Sequence, residues 1–277
     1  MQAVIGRKGS PVLAPDYHIH TRFSCDSQAQ MMEMCRAAID AGLQEIGFSE
    51  HFDLHPRDPC RQFFQADQWW QELERCREEF RPGLTLRAGV ELSEPHRHRN
   101  QMHAILSQYP WDYVLGALHY VDDDLIFDAA YFERPQHRAY SDYFEELLRM
   151  AQDGPFDVLA HMDIVKRYGC EHYGSYDPKR WEEPIRQVLA VLTHTGKGLE
   201  INTITLRRPI GELTPELPIL RWFYEMGGRW VTFGSDAHQP EHVGYGFAKA
   251  LRSLHRAGFQ APAVYQNRTP SLWKPQT

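Results

Sequence analysis

Seven times along the chain a short apolar run is followed by a helix-like segment, and this alternation is the feature that most restricts the fold. The apolar runs end in ionisable side chains, as at His51, Glu91 and His119. Alternation of this kind predicts parallel strands joined by crossover helices, hence a barrel or a doubly wound sheet. Seven strands spaced ~4.8 Å apart in an open sheet would spread their ends over about 30 Å. One shared site therefore favours the barrel, in which all these ends meet on one face.

The element boundaries follow from the spacing of the apolar residues. Strands are predicted at about 16–20, 45–49, 84–90, 113–118, 157–160, 198–202, 230–233 and, as a final short one, 263–266. Helices are predicted at about 31–41, 67–80, 96–109, 140–152, 185–192, 216–226 and 247–257. Loops are predicted at 52–64, 122–135 and 169–178. No linker interrupts the pattern, so residues 1–277 are expected to form a single domain.

Composition excludes several classes of protein. The chain lacks a run of ~18 uncharged apolar residues, and residues 1–15 lack the apolar core of a signal peptide, so a cytoplasmic protein is expected. A net charge of −7 without a block of Lys or Arg argues against nucleic-acid binding. The five cysteines are scattered without a Cys-x-x-Cys pair, which argues against a disulfide framework and a thiolate zinc site.

The segment Asp16-Tyr17-His18-Ile19-His20 provides the first candidate metal ligands, because residues two apart on a strand point to the same face. An isolated His-x-His pair is weak evidence for a metal site. A carboxylate at the end of a strand often caps the next helix instead of binding a metal. The complete set of candidate ligands is His18, His20, Asp26, His51, Glu91, His119, His161, Asp236 and His238. Six imidazoles and three carboxylates exceed the coordination of one ion, so we expect two or three divalent metals. Mixed nitrogen and oxygen donors favour Zn, Mn or Fe.

Such a cluster activates water and neutralises phosphate oxygens, which predicts hydrolysis. Arg167 and Arg207 follow two of the strands and are predicted to bind phosphate, since a guanidinium pairs bidentately with phosphate oxygens; a loop salt bridge is the alternative. Asp236 or His238 would protonate the leaving group by way of water. Tyr120, Asp128 and Asp163 are candidate partners for the part of a substrate that lies away from its phosphate. The remaining histidines are interpreted as solvated or structural.

The motifs also occur in a recognisable order. They are His18-x-His20-Thr-x-x-Ser-x-Asp26, Ser49-Glu50-His51, Gly89-Val-Glu91, Gly116-Ala-Leu-His119-Tyr, His161-Met-Asp163-Ile-Val-Lys166-Arg167-Tyr168, Leu199-Glu-Ile-Asn202-Thr and Gly234-Ser-Asp236-Ala-His238. From about residue 16 to 270 this series resembles the polymerase-and-histidinol-phosphatase (PHP) family, and is most similar to its monofunctional histidinol-phosphate phosphatases. Two positions depart from the pattern: Glu50, where many members have Asp, and Asp26, where some have His.

The resemblance implies a distorted seven-stranded (β/α) barrel, similar to a TIM barrel, with a trinuclear metal site at the C-terminal ends of its strands. It implies that the first metal is held by His18, His20, Glu91 and Asp236, the second by Glu91, His119 and His161, and the third by Asp26, His51 and His238. The implied activity is hydrolysis of L-histidinol phosphate to L-histidinol and phosphate in histidine biosynthesis. The expected partner is this small phosphate ester, without nucleic acid or membrane. The alternatives are another PHP phosphoesterase, acting on a different small ester or a nucleic-acid 3′ end, and a non-catalytic PHP module.

Overall fold

A computed structural model describes residues 13–275 and shows an α/β protein built on a curled parallel sheet. The expectation that no signal peptide is present concerns mainly residues 1–12, which lie outside the described residues. The strands are β1 Glu45–Phe52, β2 Thr85–Ser93, β3 Tyr113–Ala117, β4 Tyr120–Val121, β5 Asp124–Leu125, β6 Val158–Leu159, β7 Gly198–Asn202, β8 Val231–Gly234, β9 Ala263–Gln266 and β10 Thr269–Leu272. Six of them form one parallel sheet in the order β1-β2-β3-β6-β7-β8.

The described residues form eight α-helices, of which the first precedes β1 and the other seven lie between strands. They are α1 Met31–Ala41, α2 Ala66–Phe80, α3 Arg99–Gln108, α4 Gln136–Asp153, α5 Lys166–Tyr173, α6 Glu182–Thr195, α7 Leu217–Glu225 and α8 Phe247–Ala257. Each long helix buries an apolar stripe, as Met34 and Ala38 of α1 do, and α1 ends at Gly42 in the left-handed region. Among the described helices, none is both long enough and apolar enough to cross a membrane. The alternation of strand and helix is as predicted.

The segment 16–20 is not the regular strand that the sequence predicts. It forms only isolated bridges, because its hydrogen bonds are divided between two neighbours. On one side the carbonyl of Asp16 accepts the Gly47 N–H at 2.7 Å, within β1. On the other side the Tyr17 N–H donates to the carbonyl of Phe233 in β8 at 2.8 Å, and the His20 N–H to that of Ala237 at 2.9 Å. The segment is therefore hydrogen-bonded to both edge strands of the six-stranded sheet.

The predicted loop 169–178 is also partly wrong, because α5 occupies residues 166–173. The buried positions of this helix are Lys166 and Gly169, so no apolar period marks it in the sequence. A Cβ atom at position 169 would collide with the hydroxyl of Tyr140, so glycine allows α5 to pack closely on α4.

A disulfide joins Cys25 to Cys60, with 5.4 Å between their Cα atoms. It links the segment after His20 to the loop after β1. The cysteine spacing indicated no disulfide framework, and this single bond was not foreseen, because the two cysteines approach only through the tertiary fold. The other three cysteines, Cys35, Cys76 and Cys170, are free.

Candidate metal centre

All nine predicted metal ligands lie together at the C-terminal ends of the sheet strands and in the segments that follow them. Seven of them line a cavity of about 270 Å³: Asp26, His51, Glu91, His119, His161, Asp236 and His238. The other two, His18 and His20, are fully buried. The sequence prediction of one shared site at this end of the sheet is therefore matched by the positions of the side chains.

Glu91, near the end of β2, is the central carboxylate of this group and is fully buried. Five imidazoles surround it: His18 Nε2 at 3.4 Å, His20 Nε2 at 3.7 Å, His51 Nδ1 at 2.8 Å, His119 Nε2 at 3.8 Å and His161 Nε2 at 2.9 Å. Both of its oxygens have histidine neighbours, which is the arrangement expected of a bridging carboxylate.

Two further carboxylates complete the group. Asp236 Oδ1 lies 3.5 Å from His20 Nε2 and 3.5 Å from His238 Nδ1. Asp26 Oδ2 lies 3.0 Å from His238 Nε2 and 3.6 Å from His51 Nε2. Burial raises the pKa of the Asp26 carboxyl, but hydrogen bonds from His238 and His51 outweigh burial and hold the pKa well below its usual range. Asp26 is therefore a carboxylate at neutral pH.

The orientation of His20 is fixed by a hydrogen-bonded chain behind it. The Ser24 hydroxyl donates to Glu50 Oε2 at 2.6 Å, so its oxygen accepts a hydrogen bond from His20 Nδ1–H, 3.1 Å away. Glu50 is held in turn by the hydroxyl of Thr21 at 2.7 Å and the indole N–H of Trp69 at 3.1 Å. Because Nδ1 carries the proton, Nε2 of His20 presents a lone pair towards Glu91 and Asp236, as a metal-binding imidazole does.

His18 is oriented in the same way by Glu200 of β7, whose Oε1 lies 2.7 Å from His18 Nδ1. The other oxygen of Glu200 accepts the His161 N–H at 2.8 Å and the side-chain amide of Asn202 at 3.1 Å. His119 Nδ1 pairs with the Ser93 hydroxyl at 3.1 Å. Each of these imidazoles is thus held by one nitrogen while the other faces the central carboxylate.

The buried nitrogens provide a test of whether these residues fit metal ions. Among the residues that the structure describes, His18 Nε2 and His20 Nε2 are buried without a hydrogen-bond partner. The lone pair of His20 faces carboxylate oxygens, an arrangement that is repulsive unless a cation lies between them. Burial lowers the pKa of the His18 imidazole, but the carboxylates around it, led by Glu200, outweigh burial and raise the pKa well above its usual value, so this position also favours a positive charge. Burial is the main cause that lowers the pKa of His20 and of His119, the latter to about 3, so both imidazoles are neutral at pH 7. The residues fit divalent metals.

The donor atoms also form compact groups. Three sets made up only of predicted ligands have donor atoms within 4.8 Å of one another: His18 with His20 and Asp236, His18 with Glu91 and His161, and His20 with His51 and His238. A fourth set joins His51 and His119 to Asp53. These sets overlap with the three groupings that the resemblance implies, although they do not divide the residues identically.

Backbone conformation contributes to the placement of two ligands. His161 and Asp236 have φ values of 25° and 54°, which non-glycine residues rarely adopt and which are typical of functional sites. Gly234, two residues before Asp236, lies against the Glu200 carboxyl and the Cβ of His18, where a Cβ atom would not fit. This close approach explains the glycine at the end of β8.

The two predicted phosphate-binding arginines are placed differently. Arg167 of α5 lines the cavity, and its Nε is a buried donor without a hydrogen-bond partner among residues 13–275. Burial lowers the pKa of its guanidinium, and the nearby charge of Arg208 adds to this. Arg207 instead donates to the carbonyls of Ser235 and Asp236, at 2.9 and 3.0 Å, and so holds the turn that carries Asp236.

The three candidates for the end of the substrate away from the phosphate, Tyr120, Asp128 and Asp163, differ in burial and in their partners. Asp163 is fully buried, and its carboxylate is bonded to Lys166 and Thr214. Asp128 is exposed. Tyr120 stacks on His55, with 3.8 Å between ring centroids.

Several residues that support the site were not singled out from the sequence. Glu200 is the clearest, since a charged residue in the middle of the apolar run 198–202 is unusual for a buried strand and could have been noticed. Asp53 and Asp58, which also line the cavity, fall in a segment that was predicted only as a loop. Of the histidines interpreted as structural, His96 pairs with the buried Glu146 at 2.6 Å.

Comparison with known proteins gives a consistent result. Residues 16–204 match the model of the PHP domain family. A probable histidinol-phosphatase of Deinococcus radiodurans is 32% identical over 253 residues, which cover 88% of this chain and 93% of that protein. A histidinol-phosphatase of Lactococcus lactis is 28% identical over 90% of this chain and 93% of its own length.

The solved structures show the same similarity. The crystal structure of histidinol phosphate phosphatase from Lactococcus lactis, complexed with zinc, L-histidinol and phosphate, superposes with a TM-score of 0.85 at 25% identity. The match covers 94% of this chain and 99% of that one. A structure of a Listeria monocytogenes protein, described as a putative histidinol phosphatase, has a TM-score of 0.73 at 19% identity, over 85% of this chain and 99% of that one, and shows the same fold.

Proposed function

This chain belongs to the PHP domain family, and we propose from that membership that it is a metal-dependent phosphomonoesterase that hydrolyses L-histidinol phosphate to L-histidinol and phosphate. The observation that carries the proposal is the group of six imidazoles and three carboxylates centred on the buried Glu91, beside a cavity that also contains Arg167. The Lactococcus lactis relative binds zinc, L-histidinol and phosphate, and its fold covers nearly the whole of this chain.

Two or three divalent ions, zinc among the candidates, are proposed to be held by the nine predicted ligands. When bound, such ions lower the pKa of a water molecule and neutralise charge on phosphate oxygens. Glu91 is proposed to bridge them, because both its oxygens have imidazole neighbours. Asp26 is a ligand of matching chemistry, although some family members have His at its position.

The guanidinium of Arg167 is proposed to bind the phosphate. It lines the cavity beside Asp236 and His161, and its buried Nε lacks a protein partner among the described residues, so an anionic ligand would satisfy it. Charge that develops on the equatorial phosphate oxygens would be stabilised there.

Roles for three further residues are also proposed. His238 is close to Asp236 and partly exposed, with its side chain 22% accessible, so one of the two could pass a proton to the leaving oxygen through water. Arg207 is proposed as a second phosphate-binding cation. Its guanidinium donates hydrogen bonds to the carbonyls of Ser235 and Asp236.

We also propose that the curled sheet is a distorted seven-stranded barrel. We take segment 16–20 as a seventh, irregular member of a distorted (β/α) barrel, since its backbone is bonded to β1 on one side and to β8 and the residues after it on the other. This assignment would place His18 and His20 on the barrel interior next to Glu91.

The direct test is phosphate release from L-histidinol phosphate, compared with other phosphomonoesters and a short single-stranded DNA. We expect turnover of L-histidinol phosphate well above the panel, loss of turnover after chelation, and recovery when Zn or Mn is restored. Activity confined to another ester would refute the substrate, and absence of activity in protein with full metal content would favour a non-catalytic module.

The role of Arg167 is tested by Arg167→Gln, with the exposed Arg180→Gln as the matched control. Loss of one charge-assisted contact to phosphate is worth about 1.5–3 kcal/mol, so kcat/KM should fall about 10- to 100-fold while metal content is retained. Unchanged kinetics in Arg167→Gln would remove this residue from the site.

A further inference from the structure

Arg167, the proposed phosphate-binding residue, depends on the backbone of α5 for its position. Its Nε lacks a hydrogen-bond partner among the described residues, and its guanidinium carbon lies 5.9 Å from the ring centre of Phe127 and 5.1 Å from that of Tyr168. Contacts of this kind with aromatic rings are weak and do not fix the direction of the guanidinium. Whatever holds the first turn of α5 therefore also sets where this group lies in the cavity.

Helix α5 is anchored by an ammonium group instead of an apolar stripe. Its buried residues are Lys166 and Gly169, and glycine has no side chain to pack. The far end of the helix is held by the hydroxyl of Tyr173, which lies 2.6 Å from the carbonyl of Arg134. The first turn, which carries Arg167, therefore depends on the fully buried side chain of Lys166.

The ammonium of Lys166 has three oxygen partners. Its Nζ donates to Asp163 Oδ2 at 2.8 Å, to the carbonyl of Leu213 at 2.7 Å and to Glu216 Oε1 at 3.2 Å. An ammonium group has three N–H bonds, so none is left for a phosphate. Lys166 also lies outside the set of residues that line the cavity, whereas Arg167 belongs to it. Lys166 therefore acts on the site without touching a substrate.

The segment that receives Lys166 is itself fixed to the sheet. Thr214, next to Leu213, accepts the N–H of Asn202 at the end of β7 at 2.7 Å and donates its own N–H to the carbonyl of Asn202 at 3.1 Å. The hydroxyl of Thr214 also donates to Asp163. The side-chain amide of Asn202 in turn lies 3.3 Å from Asp236 Oδ2. A continuous chain of hydrogen bonds thus connects the metal group to the first turn of α5.

We propose that Lys166 is a positioning residue for the phosphatase reaction: it anchors the first turn of α5 to the segment after β7 and so holds the Arg167 guanidinium where it binds phosphate. This inference rests on the proposed function, which assigns phosphate binding to Arg167. A displacement of about 1 Å in reaction geometry can cost about 100-fold in rate. An anchor of this kind therefore affects activity although it does not contact the substrate.

The test is a double-mutant cycle between Lys166→Met and Arg167→Gln, measured on the metal-loaded full chain. Lys166→Met should lower kcat/KM for L-histidinol phosphate about 10- to 100-fold while metal content is retained. In the Arg167→Gln background the same change should cost less than about threefold, because the guanidinium that Lys166 positions is absent. A residue that only stabilises the fold would lower kcat/KM equally in both backgrounds. The exposed Lys179→Met is the matched control and should behave as the parent does.

A second variant covers the case in which Lys166→Met does not fold. Removal of Lys166 alone leaves the buried Asp163 carboxylate without its cation, which is strongly destabilising. Asp163→Asn/Lys166→Met removes both charges and keeps an oxygen that can accept the hydroxyl of Thr214. This double variant should show the same loss of kcat/KM, and the same dependence of that loss on Arg167, as Lys166→Met.

The Kd of inorganic phosphate, measured by titration calorimetry, gives a readout that does not depend on the identity of the ester. It should rise about tenfold in Lys166→Met, because a misplaced guanidinium loses its charge-assisted contact, and Lys166→Met should not raise it further in the Arg167→Gln background.

Equal losses in both backgrounds, loss of bound metal, or an unchanged phosphate Kd in a folded variant without Lys166 would each overturn the proposal. If the parent protein releases no phosphate from L-histidinol phosphate while phosphate binding still shows the coupling, the proposed substrate is wrong and the positioning role holds. If the parent hydrolyses L-histidinol phosphate and the coupling is absent, the positioning role alone is wrong.

Discussion

Glu200 provides the sharpest test of how the metal group is held, because its carboxylate accepts three hydrogen bonds and does not line the cavity. The donors are His18 Nδ1 at 2.7 Å, the His161 N–H at 2.8 Å and the Asn202 amide at 3.1 Å. In Glu200→Gln one carboxylate oxygen becomes an amide NH₂, which cannot accept any of these protons. At least one donor then faces another donor.

The magnitude follows from the contacts. A hydrogen bond to a charged group is worth about 1.5–3 kcal/mol, and loss of a residue that orients a ligating histidine weakens metal binding about 10- to 100-fold. The two ranges agree, since tenfold corresponds to about 1.4 kcal/mol. We therefore expect the free zinc concentration at half loading to rise about 10- to 100-fold in Glu200→Gln.

The assay is elemental analysis after dialysis against zinc buffers of graded free concentration, with circular dichroism to check the fold. Glu78→Gln, an exposed change on α2, is the matched control and should load as the parent does. Half loading at the parent concentration in a folded Glu200→Gln variant would refute the argument that Glu200 positions the metal ligands.

Two further changes test the packing and the electrostatics. Gly234→Ala should place a methyl group against Glu200, which should lower the free energy of unfolding by about 1–3 kcal/mol and also lower the metal content. Gly83→Ala is the control, because its methyl group has room and should change neither quantity. Equal melting temperatures of the two variants would contradict the close-packing argument. Burial raises the pKa of Glu146, but hydrogen bonds led by that from His96 outweigh it and lower the pKa to about 2, below its ordinary 4.5. A carboxyl group with a depressed pKa stabilises the fold above pH 4.5. The free energy of unfolding of the parent should therefore exceed that of Glu146→Gln by about 3 kcal/mol at neutral pH. This difference in the free energy of unfolding should decrease as the pH falls towards 2, as measured by denaturation of both proteins at a series of acidic pH values. A difference that does not change with pH would contradict the proposed stabilisation by the Glu146 carboxylate.

The sequence allowed the alternation of elements and the nine candidate ligands to be predicted, because strand ends with ionisable residues follow directly from local patterns. The prediction that segment 16–20 is a regular strand is wrong. Its backbone hydrogen bonds are divided between residues that are distant in sequence, and local pattern does not indicate them. Helix α5 was missed because its buried positions, Lys166 and Gly169, are not apolar. For Glu200 the sequence shows a charged residue inside an apolar run, but its partner His18 lies 182 positions away and cannot be identified from local pattern.

The double attachment of segment 16–20 has a consequence for the order of events during synthesis. The carboxylate of Asp16 accepts the N–H of Ser235, 219 residues later, at 2.9 Å, so the first two histidine ligands cannot be fixed until almost the whole described chain has left the ribosome. Contacts of such large sequence separation form late, since the loop-closure entropy must be overcome first. The nascent protein therefore spends its synthesis without a complete ligand set. We therefore expect metal to bind after the chain has folded rather than to nucleate folding.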